Sequence, residues 1–184
     1  IYYALAGNIA INNCFNAEAV WAAVSDKDGC IDIPEPNYFT PSSFGSFELT
    51  KKDSNEFIGQ EIDWSKNNLR SIPTITIDSL KLQRLDLIKI DIEGMDYSVI
   101  MKLDLKKFKI ENISFEHLHL SFWQKIKIVT KLINNGYSFS GMGFDIRKSD
   151  WMFTKNYKYK KLQTFLLPIT PRRIWKRYQF SILK

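Results

Sequence analysis

Along residues 86–103 the apolar positions change their spacing. Leu87, Ile88, Ile90 and Ile92 form a short apolar run rich in β-branched residues, the pattern of a strand buried on both faces of a parallel sheet. Beyond Gly94 the period lengthens, and Tyr97, Ile100, Met101 and Leu103 recur at spacings of three and four, one face of a helix. Upstream, Ile1, Leu5, Ile9 and Asn12 predict a helix over 1–13 that begins with no cap before it. Residues 18–24 read as a strand, with Val20, Ala22 and Val24 on one side. Asp28-Gly29 reads as a hairpin turn into a short strand over 30–33. Pro34, Pro36 and Pro41 make 34–45 a loop, a short strand is expected over 46–49, and 51–69 gives no clear period. A further strand is expected at 74–77, with Asp78 capping a short helix through Leu82.

Downstream, residues 113–120 alternate as a strand. Ile113, Phe115, His117 and His119 share one face, and Ser114, Glu116, Leu118 and Leu120 the other. Phe122, Ile126, Val129, Leu132 and Ile133 predict an amphipathic helix over 121–135, stopped by Gly136. Residues 137–140 and 151–154 read as closing strands, and Gly141-Met142-Gly143 as a turn. Strands feeding helices predict an α/β fold, in which ligands bind beyond the carboxyl ends of the strands.

Asp91 and Glu93 stand at that exit of the central strand. Carboxylates there often cap the following helix, which accounts for one acid more easily than for two. Asp91 sits inside the apolar run, where a charge needs a partner, and Lys89 on the same strand face can supply one. His117 and His119 are the only histidines. A His-x-His pair can ligate zinc, but no cysteine or third ligand lies nearby in sequence, so no metal site is expected. His117 is the better candidate for a general base or substrate contact, since imidazole titrates in the working range.

Composition narrows the class. A chain of 184 residues that is 45% hydrophobic and 14% aromatic has the material for one domain with a substantial core. No apolar run approaches the ~20 residues of a membrane span. Cys14 and Cys30 have no paired spacing, which points to a reducing, cytoplasmic setting. The net charge of +6 is misleading as a guide to partners. Nine of the 26 basic residues and none of the acids fall in 155–184, leaving a mildly acidic body. Nucleic-acid binding is therefore not expected. In the basic tail, Ile174, Trp175, Tyr178 and Ile182 would share a helical face after Thr170-Pro171, a pattern suited to peripheral contact with an anionic membrane.

The run Leu87-Ile88-Lys89-Ile90-Asp91-Ile92-Glu93-Gly94 resembles the signature of the FkbM-type S-adenosylmethionine (SAM)-dependent methyltransferases. Asn8-Ile9-Ala10-Ile11-Asn12, Ala22-Ala23-Val24-Ser25-Asp26 with Gly29, Gly45-Ser46, Thr76-Ile77-Asp78-Ser79-Leu80 and Ile113-Ser114-Phe115-Glu116 follow in the family's order. The resemblance implies a Rossmann-like class I sheet in a three-layer α/β/α sandwich. The first strands and the glycine-rich turn would lie upstream, so that the chain starts partway through the domain. It implies a methyltransferase domain over 1–154, followed by the basic tail 155–184. It also implies SAM as methyl donor and O-methylation of a sugar or small-molecule hydroxyl. Asp91, Glu93, Glu116 and His117 are the expected catalytic residues. Ala22, Ala23 and Asp91 are the expected cofactor contacts, the alanines being small enough to let an adenine ring approach. A truncated or degenerate domain acting as a non-catalytic binding module is the alternative.

Overall fold

The computed structural model describes residues 2–48, 58–82, 84–142 and 150–155. Among these described residues it is a mixed α/β structure with two sheets and three α-helices: α1 (Tyr2–Ile11), α2 (Asp96–Lys102) and α3 (Phe122–Asn134). The first sheet holds β1 (Ala23–Val24), β2 (Gly29–Pro34) and β3 (Leu69–Ile75) in the order β1-β3-β2. The second holds β4 (Arg84–Ile90), β5 (Lys109–Glu116), β6 (Tyr137–Met142) and β7 (Asp150–Lys155) in the order β4-β5-β7-β6. Among the described residues no helix is long and apolar enough to cross a membrane.

The second sheet carries the core. β4 and β5 run parallel, joined through α2 as a βαβ unit, and β7 runs antiparallel to both β5 and β6. Ile113, Ser114 and Phe115 of β5 are all buried, so both faces of this strand are covered. Phe115 stacks on Phe153 and meets Trp151 edge-on, while Ile128, Val129 and Leu132 of α3 join the same cluster. Ser121 caps α3 reciprocally with Gln124, and Gly136 takes the left-handed conformation that ends the helix, at φ +86°.

Several sequence expectations need correction. The doubly buried strand is β5, not the run at 86–92. β4 has one neighbouring strand among the described residues and leaves Leu87 46% exposed. Periodicity cannot make this distinction, because it records which residues are apolar and not how many neighbours a strand acquires. Of 18–24 only Ala23 and Val24 enter a ladder, pairing with Thr74 and Ile75. Asp28-Gly29 does not close a hairpin, since β3 lies between β1 and β2. Instead the Asp28 carboxylate accepts from Thr76 N at 2.7 Å and Ser79 Oγ at 2.6 Å, and these bonds, Ser79's foremost, hold its pKa down.

Asp78 begins a single 3₁₀ turn without capping it, and its carboxylate pairs with Lys107. Of the strand expected over 46–49, Ser46 closes a 3₁₀ turn, Phe44–Ser46, and residues 47–48 enter no strand. The stripe of α3 is also rotated. Phe122 is exposed and Ile128, which the spacing passed over, is fully buried. Gly141 and Met142 belong to β6, beside a bulge at Phe139, and not to a turn. Leu49, residues 51–57, Gly143 and the basic tail from 156 lie outside the described residues.

Candidate active site

β4 and β5 are in register with Ile90 beside Phe115, so their carboxyl ends open side by side. Asp91 is the first residue past β4 and Glu116 the last of β5. Lys89 donates to Asp91 at 2.8 Å and lies 3.1 Å from the buried carboxylate of Asp150, which faces Glu116 across the β5–β7 ladder. The hydrogen bond to Asp91, and then that to Asp150, raise the Lys89 pKa, so this ammonium is locked in its charged form.

The turn from β4 into α2 is tight. Glu93 sits in the left-handed region at φ +45°, which is unusual for a residue with a side chain, and Gly94 follows at φ +101°. The Asp96 carboxylate, 5% exposed in the first turn of α2, accepts from Ile92 N at 3.4 Å. That bond ties down the turn and does not cap α2, whose N-cap position is Met95 with no side-chain cap, so the capping role considered for Asp91 and Glu93 is not what the structure shows.

Glu93 and Glu116 converge on His119. Its Nε2 lies 3.4 Å from Glu116 and 4.0 Å from Glu93. Burial is the main cause that raises the pKa of each glutamate. Nearby Asp91 and Asp96 push the same way, and the His119 charge acts against them. Glu48 adds to the effect on Glu93.

A scan against protein-family models matches the methyltransferase FkbM domain over residues 2–157. The chain belongs to the FkbM methyltransferase family. No curated protein and no solved structure matches it.

Within this FkbM domain, the structure brings together three of the four catalytic candidates: Asp91, Glu93 and Glu116. The fourth, His117, is held against β7. Its ring stacks on Trp151 of β7 with centroids 4.4 Å apart, and its two nitrogens are buried. The histidine at the acids is His119. The strand ends at Glu116, and a turn closed by Leu120 N to His117 O breaks the alternation, carrying His119 back over the strand end. The spacing of three between Glu116 and His119, just before the Ser121 cap, was the available signal for that turn. Asp96 and Asp150 were also missed, since nothing local marks them as buried. Ala22 and Ala23 are half-buried, Ala23 beside Thr74 of β3 in the other sheet, and among the described residues neither shares a hydrogen bond with the acids.

The raised glutamate pKa values fix the sign of a pH effect. The folded state holds protons on Glu93 and Glu116 more tightly than the unfolded chain does. Their contribution is therefore favourable at acid pH and declines as pH rises from the ordinary carboxylate range through the raised values. Glu93→Gln in the FkbM domain, with EDTA present, is expected to raise Tm at pH 7 by a few degrees and to flatten Tm between pH 4 and 7. A Tm that falls at pH 7 would show that the charge is stabilising there.

Proposed function

We propose that this chain is a SAM-dependent methyltransferase acting on a hydroxyl of a sugar or other small molecule. The observation that carries the reading is the convergence of Asp91, Glu93 and Glu116 at the carboxyl ends of two adjacent parallel strands. The β4-α2-β5 unit, followed by α3 and by β6 running parallel to β5, supports a Rossmann-like sheet of the class I kind. We read 1–154 as the methyltransferase domain and 155–184 as a separate basic segment suited to an anionic surface.

The residues present fit part of a SAM site. Asp91 is tethered by Lys89 yet 43% exposed at the open strand end, so it can accept from the polar groups of a ligand. Ala22 and Ala23, half-buried, are small enough to let a flat ring approach the backbone. When bound, SAM supplies a sulfonium methyl group for in-line displacement. Lys89 holds the Asp91 carboxylate in one orientation, and Glu93, Glu116 and His119 orient the acceptor hydroxyl and favour loss of its proton. Leu118, Phe122 and Trp123, all exposed, flank His119 in sequence and offer an apolar rim to the acceptor.

Calorimetric titration of the chain with SAM tests this reading. Binding in the micromolar range is expected, and Asp91→Ala, still folded by circular dichroism, should weaken it at least tenfold. No heat with the unsubstituted chain would reject the cofactor. Equal affinity in the variant would reject the place given to Asp91.

A further inference from the structure

Local sequence offered two histidines and no third ligand, whereas the fold assembles a different set. Glu93 comes from the turn after β4, Glu116 from the end of β5 and His119 from the turn beyond it, with one donor atom of each within 4.8 Å of the others. We propose that these three side chains bind a first-row divalent cation of the Mn2+ type.

Three observations support this. The first is distance. Ligands about 2.1 Å from a cation stand roughly 3.0–3.5 Å from one another in octahedral or tetrahedral arrangements. The His119–Glu116 separation of 3.4 Å already lies in that range, and the 4.0 Å from His119 to Glu93, in a set that spans no more than 4.8 Å, closes with side-chain shifts of about 1 Å. The second is charge. Glu93 and Glu116 expose only 21% and 16% of their side chains, and Asp91 and Asp96 raise the pKa of both. Among the described residues no lysine or arginine pairs with either glutamate, and Lys89 is engaged by Asp91 and Asp150. Half-buried carboxylates crowded in this way favour a bound cation.

The third is donor type. Two carboxylates select oxygen-preferring cations, and one imidazole shifts the preference from Mg2+ and Ca2+ toward Mn2+. His119, 29% exposed, leaves a way in from solvent. Three protein ligands also leave open positions on the cation. The role of the ion, though not its binding, rests on the methyl-transfer reading. Glu93, Glu116 and His119 would then act on the acceptor hydroxyl through the ion: it would make that hydroxyl more acidic, the proton would pass to solvent, and the oxygen would take the methyl group as the S–CH3 bond breaks.

The experiment is Mn2+ titration of the EDTA-treated full chain, following loss of the free-ion EPR signal, with SAM calorimetry in parallel. One Mn2+ per chain is expected, and Glu116→Gln and His119→Ala should each weaken binding at least tenfold. Glu93→Gln, expected to be the most stable variant without metal, should do the same and guards against a folding defect in the others. Absence of binding at millimolar Mn2+, or equal affinity in all three variants, would overturn the site. Mn2+ binding without SAM binding would retain the cation site while rejecting methyl transfer. SAM binding without Mn2+ binding would do the reverse.

Discussion

Trp151→Ala is expected to lower the unfolding free energy by about 3–5 kcal/mol, the range for removing a large aromatic side chain from a packed core. Trp151 is 2% exposed and pairs with Phe115 in the β5–β7 register. Its ring meets Phe115 and Phe139 edge-on and lies flat against His117. Truncation would leave all three facing a void, which a dense interior fills poorly. Urea denaturation measures the effect as a fall in midpoint at constant slope. Trp151→Phe should recover most of the loss, because it keeps an aromatic ring and removes an indole N–H that is buried without a hydrogen-bond acceptor among the described residues. A loss below about 1 kcal/mol for the alanine variant would be incompatible with this packing. The consequence should extend to the site, since Asp150 precedes Trp151 and holds Lys89.

Lys131→Met is expected to cost about 2–4 kcal/mol, through hydrogen bonding more than through charge. The Lys131 ammonium donates to the carbonyls of Ile100, Met101 and Leu103 at 3.0, 2.8 and 2.7 Å. These belong to the last turn of α2, where carbonyls have no partner within the helix. A side chain from α3 thus closes the C-terminus of α2 and fixes the two helices against each other. Burial pushes the pKa of this ammonium down, which shows that the contact is made at some cost in solvation. Methionine preserves the apolar stem and abolishes all three donors, so the difference isolates the bonds. Chemical denaturation gives the magnitude. Amide exchange in α2 should accelerate more than exchange in β5, and uniform acceleration would refute a local capping role.

Helices and strands near the site were largely legible in the sequence, for a physical reason. Burial of one face writes a period into the chain, and the helical periods at 97–103 and 121–135 correspond to α2 and α3. The strand exit at Asp91 and Glu93 was legible because an apolar β-branched run gives way there to a glycine and a helical spacing. Glu116 was legible as an acid at the end of a second strand. The partners of these groups were not. Asp150 looks like any polar residue between strands, and only its place opposite Glu116 makes it a buried partner of Lys89. Alternation extended the strand four residues too far, to Leu120, and so singled out His117 where the turn sets His119 beside the glutamates, since a period continues on paper until a turn stops it in space.

The sequence by itself determined the element types around residues 84–155, the acids at the strand exit and the likeness to the FkbM family. Local spacing and residue chemistry suffice for those. Tertiary structure alone decided that β5 is the doubly covered strand, that His117 lies against Trp151, and that His119 joins Glu93 and Glu116. Each of these depends on which segments become neighbours. Pairing between strands distant in the chain is settled by the summed burial of the whole sheet, and no window of sequence contains that sum.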